Sequence, residues 1–134
     1  NKKSYLHYFQ DLIRPELSQF CMEAQVTCGM TDCWAVRYQK GDQQTIHNHR
    51  SWGFSGILYL EFDPKIHTPT CFVSPWQDPR SDTTTLAYPQ NVSEGTIFIV
   101  PSYTLHFVHP NQVRKHRTVI AFDLLPELPD HQSV

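Results

Sequence analysis

The sequence lacks the features that mark nucleic-acid-binding, membrane-spanning and secreted proteins. Its 134 residues carry a formal net charge of −2, and lysine and arginine are concentrated nowhere, which argues against a nucleic-acid partner or a polybasic membrane patch. The strongest apolar runs, 57–60 and 97–100, are too short to cross a bilayer, and no signal-peptide pattern is present. We therefore take the cytoplasm as the default location and expect no membrane partner.

The sequence also contains no Cys-x-x-Cys pair. Cys28 and Cys33 are close enough in sequence to form a disulfide or half of a metal site, but no second pair accompanies them. We expect reduced cysteines that pack within an intracellular protein. The four are Cys21, Cys28, Cys33 and Cys71.

The length and the apolar content of 40% predict one domain, 1–134, with a single core. The first residue is Asn1 rather than Met, so we expect a trimmed or partial chain. The sequence leaves the oligomeric state open.

The first stretch, 4–24, is helical in character. Apolar residues recur there at helical spacing, and Pro15 is placed where a second helix would start. This pattern predicts one or two short helices on the outside of a sheet, with Gly29 ending the region.

From Cys33 onward the pattern is that of β-strands. Trp34, Val36 and Tyr38 alternate with more polar residues, as in a half-buried strand. The predicted strands after this one are 43–49, 54–62, 71–73, 84–88, 96–100, 105–108 and 117–125. Short strands without helices between them predict a mainly β, antiparallel sandwich or barrel over about 33–125, with the helices against one face.

Two histidines of the predicted strand 43–49 are the first candidate metal ligands. His47 and His49 are two residues apart, so on a strand both point to one face. His106, from a second strand, would complete a facial set that leaves positions open for substrate. Arg117 offers a rigid fork suited to a carboxylate. Alone, a pair of histidines is often ordinary, and we expect His7, His67, His116 and His131 to be structural or exposed.

The spacing around these histidines resembles the two-motif signature of the cupin double-stranded β-helix, a jelly-roll barrel. The two fragments are Gly41-x5-His47-x-His49 and Gly95-x5-Pro101-x4-His106. Two departures stand out. The residues 50–54 contain no carboxylate where the cupin motif has one, and Tyr103 occupies the position of a usual glycine.

A closer resemblance covers about residues 30–125 and is to a family of 2-oxoglutarate- and iron(II)-dependent oxygenases. It is carried by Trp34, Gly41-Asp42, His47-Asn48-His49, 55–60, 78–80, 95–103, 106–111 and 117–122. Arg50 stands where the family commonly has proline, Tyr103 where it has tryptophan and Asp123 where it has asparagine. The resemblance implies iron(II) and 2-oxoglutarate as cofactors.

The resemblance also implies a role for each site residue. Iron(II) would bind between the histidine pair and His106, and the distal carboxylate of 2-oxoglutarate would reach Arg117. Ser55 and Tyr59 share a strand face and could donate hydrogen bonds to the cosubstrate, although Tyr59 could equally be a core residue. On the last strand, Arg117, Val119, Ala121 and Asp123 would face the barrel interior, and Thr118, Ile120, Phe122 and Leu124 would pack on the other side.

Two more residues are candidates for substrate contacts. Trp52, next to the histidines, could line the substrate entrance. Arg80 could be a clamp at the barrel mouth or part of a turn with a local ion pair.

Two questions stay open at this stage. Either three neutral imidazoles bind the metal, or one of His47 and His49 binds it while the other serves the surroundings; His109 is disfavoured because strand alternation turns it away from His106. The function could be hydroxylation coupled to 2-oxoglutarate decarboxylation, with an unidentified acceptor. The rivals are a cupin-type binding module and a three-histidine dioxygenase that needs no cosubstrate.

Overall fold

A computed structural model of the chain describes residues 2–74, 79–80 and 85–128, with side chains from residue 5 onward. Two helices precede eight strands. The elements are α1 (Lys2–Leu12), α2 (Arg14–Ala24), β1 (Cys28–Tyr38), β2 (Gln44–His47), β3 (Phe54–Glu61), β4 (Cys71–Val73), β5 (Leu86–Ala87), β6 (Ile97–Pro101), β7 (Leu105–Val108) and β8 (Arg117–Pro126).

The strands form two four-stranded sheets. The long sheet has the order β1-β8-β3-β6, and the short sheet has the order β2-β7-β4-β5. All strand pairs in both sheets are antiparallel. The fold is the mainly β jelly-roll with N-terminal helices that the sequence predicted.

The helices cover the outer face of the long sheet. Phe9 and Ile13 are one helical turn apart and are both buried, and the Phe9 ring lies 5.6 Å from that of Phe122. Pro15 is the second residue of α2, in the first turn, where its fixed φ and missing N–H cost nothing. Gln25 ends α2 in the left-handed conformation, and its N–H bonds back to the helix.

Strand β8 separates the two layers of the core. It lies between β1 and β3, and its residues 117–124 are all buried. Ile120, Phe122 and Leu124 pack with the helices, whereas Val119 belongs to a second core cluster between the sheets. This alternation agrees with the two faces predicted from the sequence.

Several predicted strand boundaries differ from the structure by a residue or two, and two of the differences affect the sheet and the candidate site. Strand β1 begins at Cys28 rather than Cys33, so Gly29 lies within a strand and the barrel runs from 28 to 126 instead of about 33 to 125. The cause is tertiary pairing: Cys28 pairs with Pro126 at the end of the long β8, and an irregularity between Met30 and Asp32 adjusts the register. Strand β2 ends at His47, so His49 lies beyond the strand that was predicted to carry it.

All four cysteines are free, as expected. Asp78, the first residue of the segment 78–80 that contributes to the family resemblance, lies outside the described residues. Neither α1 nor α2 has the length and apolar character that crossing a bilayer requires.

Candidate metal centre

The three predicted histidines lie together between the sheets. His47 and His106 are directly paired across β2 and β7, and His49 follows β2 by two residues. The ring centroids are 4.2 Å apart for His47 and His106, 5.2 Å for His49 and His106, and 5.5 Å for His47 and His49. One nitrogen from each ring lies within 4.8 Å of the others, so the group could hold a metal ion.

Hydrogen bonds fix the proton on the outer nitrogen of two of these rings. His47 Nδ1 is 2.8 Å from the carbonyl oxygen of Thr45, and His106 Nδ1 is 3.0 Å from that of Thr104. A carbonyl oxygen only accepts, so each Nδ1 carries the hydrogen and donates it. The Nε2 lone pairs of both rings are thereby left for a metal.

His49 has a different partner, the carboxylate of Asp123. His49 Nδ1 is 3.0 Å from Asp123 Oδ1, and Ser55 Oγ donates to the same oxygen at 2.8 Å. Arg50 Nη2 lies 3.5 Å from the other carboxylate oxygen. Asp123 is buried on the inner face of β8, so the third ring is held by a charged group rather than by a local carbonyl.

The environment of His106 favours its neutral form. Burial lowers the pKa of His106 to about 4, and the neighbouring His47 and His49 act in the same direction, against the Thr104 hydrogen bond. At pH 7 the ring is therefore neutral, which is the form that binds a metal.

A small cavity of about 60 Å³ adjoins the histidines. Its wall is mostly apolar and comes from both sheets. It is formed by Trp34, Val36, Tyr38, Gln44, His47, His49, Ser55, Gly56, Ile57, Thr70, Phe72, Val100, His106, Val108, Val119 and Ala121.

Arg117 is buried beside the wall that Tyr38 and Thr70 form. Its guanidinium lies 5.0 Å from the Tyr38 ring centre and 5.4 Å from that of Tyr59. Nε donates to Thr68 O at 3.0 Å and Nη2 to Thr70 Oγ1 at 3.1 Å, whereas Nη1 is buried and has no hydrogen-bond partner among the described residues. Burial lowers the pKa of Arg117, but a guanidinium stays protonated in proteins.

The two residues predicted to bind the cosubstrate lie in different surroundings. Ser55 is on the cavity wall, but its hydroxyl hydrogen is donated to Asp123, since a carboxylate only accepts. Tyr59 is fully buried beside Arg117, and its hydroxyl accepts a hydrogen bond from Thr70 N at 3.0 Å. Tyr59 is thus a core residue.

The two predicted substrate residues are not brought to the histidines. Trp52 is 45% exposed and lines a separate surface groove with Tyr103 and Leu128. Arg80 is exposed, and the described residues of the cavity wall do not include it. Their contacts with a substrate stay predictions.

Sequence reasoning missed two residues of the centre. Trp34 was predicted only as part of a half-buried strand, but its ring stacks on that of His49, with centroids 5.6 Å apart and planes at 27°. Asp123 was predicted to face the barrel interior and was noted as a departure from the family pattern, but no role at the centre was predicted for it. A signal existed, because Asp123 shares a strand face with Arg117, and Arg50 departs from the same pattern while carrying the opposite charge.

Comparisons with known proteins show similarity in fold at low sequence identity. A 2OG-Fe(II) oxygenase-family oxidoreductase from Burkholderia pseudomallei gives a TM-score of 0.65 at 16% identity over 91% of this chain and 55% of its own. HygX from Streptomyces hygroscopicus with iron bound gives 0.57 at 12% identity over 78% and 61%. A prolyl-4-hydroxylase from Pseudomonas putida gives 0.51 at 17% identity over 75% and 57%.

The chain therefore spans 55% to 61% of the length of these three structures. No curated protein matches the sequence significantly. The family model described as "Putative 2OG-Fe(II) oxygenase" matches residues 32–123, which is more than half of the chain, and the protein belongs to this family.

Proposed function

We propose that the protein is a non-haem iron(II) oxygenase that couples decarboxylation of 2-oxoglutarate to hydroxylation of a C–H bond in an acceptor. The overall reaction turns 2-oxoglutarate, dioxygen and the acceptor into succinate, carbon dioxide and the hydroxylated acceptor. The observation that carries this proposal is a buried arginine whose Nη1 has no partner in the described part of the chain, placed beside the cavity that three converging histidines line.

The donor set fits iron(II). Imidazole nitrogen is a common ligand for iron, and three ligands on one side leave three positions of an octahedron open. His47 and His106 are held by paired strands and by their own local carbonyls, so their Nε2 atoms are oriented before a metal arrives. Bound iron(II) would supply the activation of dioxygen, and the apolar wall would keep water away from it.

The surroundings of Arg117 fit an anionic cosubstrate. Among the described residues no carboxylate pairs with the guanidinium, and a buried charge without a counter-ion is costly. A carboxylate that bonds Nη1 would offset that cost. HygX, which shares this fold at a TM-score of 0.58, was solved with nickel and 2-oxoglutarate bound, and this supports the same pair of ligands here.

One observation favours a second candidate. The group of potential ligands contains three histidines and no carboxylate among the described residues, which suits a three-histidine dioxygenase or a cupin-type binding module. Neither alternative gives the unpaired buried arginine a role.

Anaerobic titration of the iron(II)-loaded protein with 2-oxoglutarate separates these functions. The oxygenase shows the weak visible charge-transfer band of the chelated cosubstrate and, in air, forms succinate. Arg117→Lys, which keeps the charge but loses the fork, weakens the band, while the exposed Arg37→Lys serves as the matched control. Iron binding without a band would favour the alternatives, and a protein that binds no metal would contradict the proposal.

A further inference from the structure

We propose that Asp123 is a positioning residue for the metal centre: it orients His49 and supplies, through that ring, the negative charge that three neutral ligands lack. The inference rests on the proposed metal site. It is independent of the 2-oxoglutarate step, since it concerns how the metal is held.

His49 needs such a partner because it is the one histidine of the three outside a strand. His47 and His106 bond carbonyls two residues before them in sequence. His49 instead relies on a residue 74 positions away, on the central strand of the other sheet. Its backbone is anchored as well, because His49 N donates to Ser102 O at 3.0 Å.

A chain of buried hydroxyls holds the Asp123 carboxylate in place. Ser55 donates its hydrogen to Asp123 Oδ1, so Ser102 donates to Ser55 across 2.8 Å. Ser55 and Ser102 are 5% and 1% exposed. Oδ1 therefore receives one hydrogen bond from Ser55 and one from His49 Nδ1. Because Ser102 holds Ser55, the orientation of the carboxylate toward His49 is fixed.

The hydrogen bond to Asp123 determines which nitrogen of His49 can bind metal. A carboxylate only accepts, so Nδ1 keeps its hydrogen and Nε2 carries the free lone pair. A ligating histidine whose outer N–H bonds a carboxylate is a stronger donor than one that bonds a carbonyl. Of the three rings, His49 would thus be the strongest donor to a bound metal.

Charge gives the contact a second consequence. Three neutral imidazoles leave the full charge of a divalent metal in place, whereas a carboxylate ligand would remove one unit. Asp123 places that negative charge next to His49, on the side of the ring that faces away from the metal. Arg50 lies 3.5 Å from Oδ2, but its side chain is 36% exposed, so solvent screens its opposing effect.

The inference is tested by the affinity of the protein for Co²⁺, measured anaerobically by competition with a chelator, together with the visible spectrum of the bound ion. Asp123→Asn keeps the shape but removes the charge. We expect affinity to fall about 10- to 100-fold, the usual effect of losing such a partner, with a shifted spectrum and an unchanged melting temperature of the metal-free protein. Glu23→Gln also replaces a carboxylate by an amide, but on the exposed face of α2. It leaves the Co²⁺ affinity and the spectrum unchanged.

The outcomes separate this inference from the proposed function. Equal affinity in wild type and Asp123→Asn overturns the inference alone, whether or not the variant is less stable, because the contact would then be only structural. A loss greater than about 1,000-fold with a changed coordination number would make Asp123 a ligand itself and overturn the positioning role. Should Asp123→Asn fail to fold, Ser55→Ala, which removes one bond to Oδ1, is expected to lower Co²⁺ affinity in the same direction, and equal affinity there overturns the inference. A wild-type protein that binds no Co²⁺ or Fe²⁺ overturns both proposals.

Discussion

His47 and His106 lie directly opposite each other on neighbouring antiparallel strands, with ring centroids 4.2 Å apart. The strands and the local carbonyls hold both rings, so two of the three potential ligands are fixed by secondary structure. His49 is placed instead by contacts between the two sheets. The centre therefore depends on the correct packing of one sheet against the other.

This arrangement predicts which histidines a metal requires. His106→Ala removes one of two oppositely placed donors and is expected to lower Fe²⁺ affinity by at least 100-fold, which equilibrium dialysis under nitrogen can measure. His109→Ala is the matched control, because His109 bonds the Tyr88 hydroxyl at 2.7 Å, away from the triad. Equal losses in the two variants would contradict the assignment of ligands.

The pKa of His106 predicts how the stability of the metal-free protein depends on pH. Burial lowers this pKa to about 4 from the usual 6.5, so the unfolded chain takes up the proton first as the pH falls. The free energy of unfolding is therefore expected to decrease between pH 6.5 and 4, by at most about 1.4 kcal/mol per pH unit for this proton.

Urea denaturation across this pH range provides the measurement. His106→Gln should give a flatter profile than wild type, whereas His7→Gln, on the exposed face of α1, should follow wild type. A profile of His106→Gln as steep as that of wild type would show that other groups cause the pH dependence.

Part of the fold could be read from local sequence because local signals agreed with the tertiary structure. Strands β4 and β7 begin and end where they were predicted, at 71–73 and 105–108. Strand β1 was predicted too short, because Gly29 is a local signal against a strand while pairing with the far end of β8 extends it. Local preference was overruled there by a partner about a hundred residues away.

The candidate site likewise contains residues that local sequence predicts and residues that only tertiary contacts place. His47 and His106 were identifiable because spacing on a strand fixes the face to which a side chain points. The contact of Asp123 with His49 was not predicted, since it depends on how the two sheets pack. Trp52 is close to the histidines in sequence but lines a separate surface groove, so closeness in sequence does not by itself place a side chain at the centre.

Close packing at Gly56 makes a prediction about stability. A Cβ added there would lie 2.1 Å from the Phe122 ring, so Gly56→Ala must displace a fully buried aromatic side chain. We expect the free energy of unfolding to fall by about 1–3 kcal/mol or more, measured by urea denaturation. Gly29→Ala is the control, because a Cβ there meets nothing within 4 Å.

A second substitution tests whether steric crowding causes the loss of stability in Gly56→Ala. Phe122→Leu in the Gly56→Ala background should recover part of the loss, since a shorter side chain makes room for the methyl group. Additive losses in the double variant would contradict a steric origin.

The unpaired Nη1 of Arg117 predicts that this residue contributes to binding more than to stability. Arg117→Met removes a buried charge without a counter-ion while filling much of the same volume among Tyr38, Tyr59 and Phe62. It also leaves Thr68 O and Thr70 Oγ1 without their donor. These effects oppose each other, so the free energy of unfolding of the ligand-free protein is expected to change by less than about 2 kcal/mol in either direction.

The stabilisation that 2-oxoglutarate gives to the metal-loaded protein should disappear in Arg117→Met, and thermal melting with and without 2-oxoglutarate measures both quantities. If Arg117→Met retained the shift of the melting temperature, the guanidinium would have no part in holding the cosubstrate.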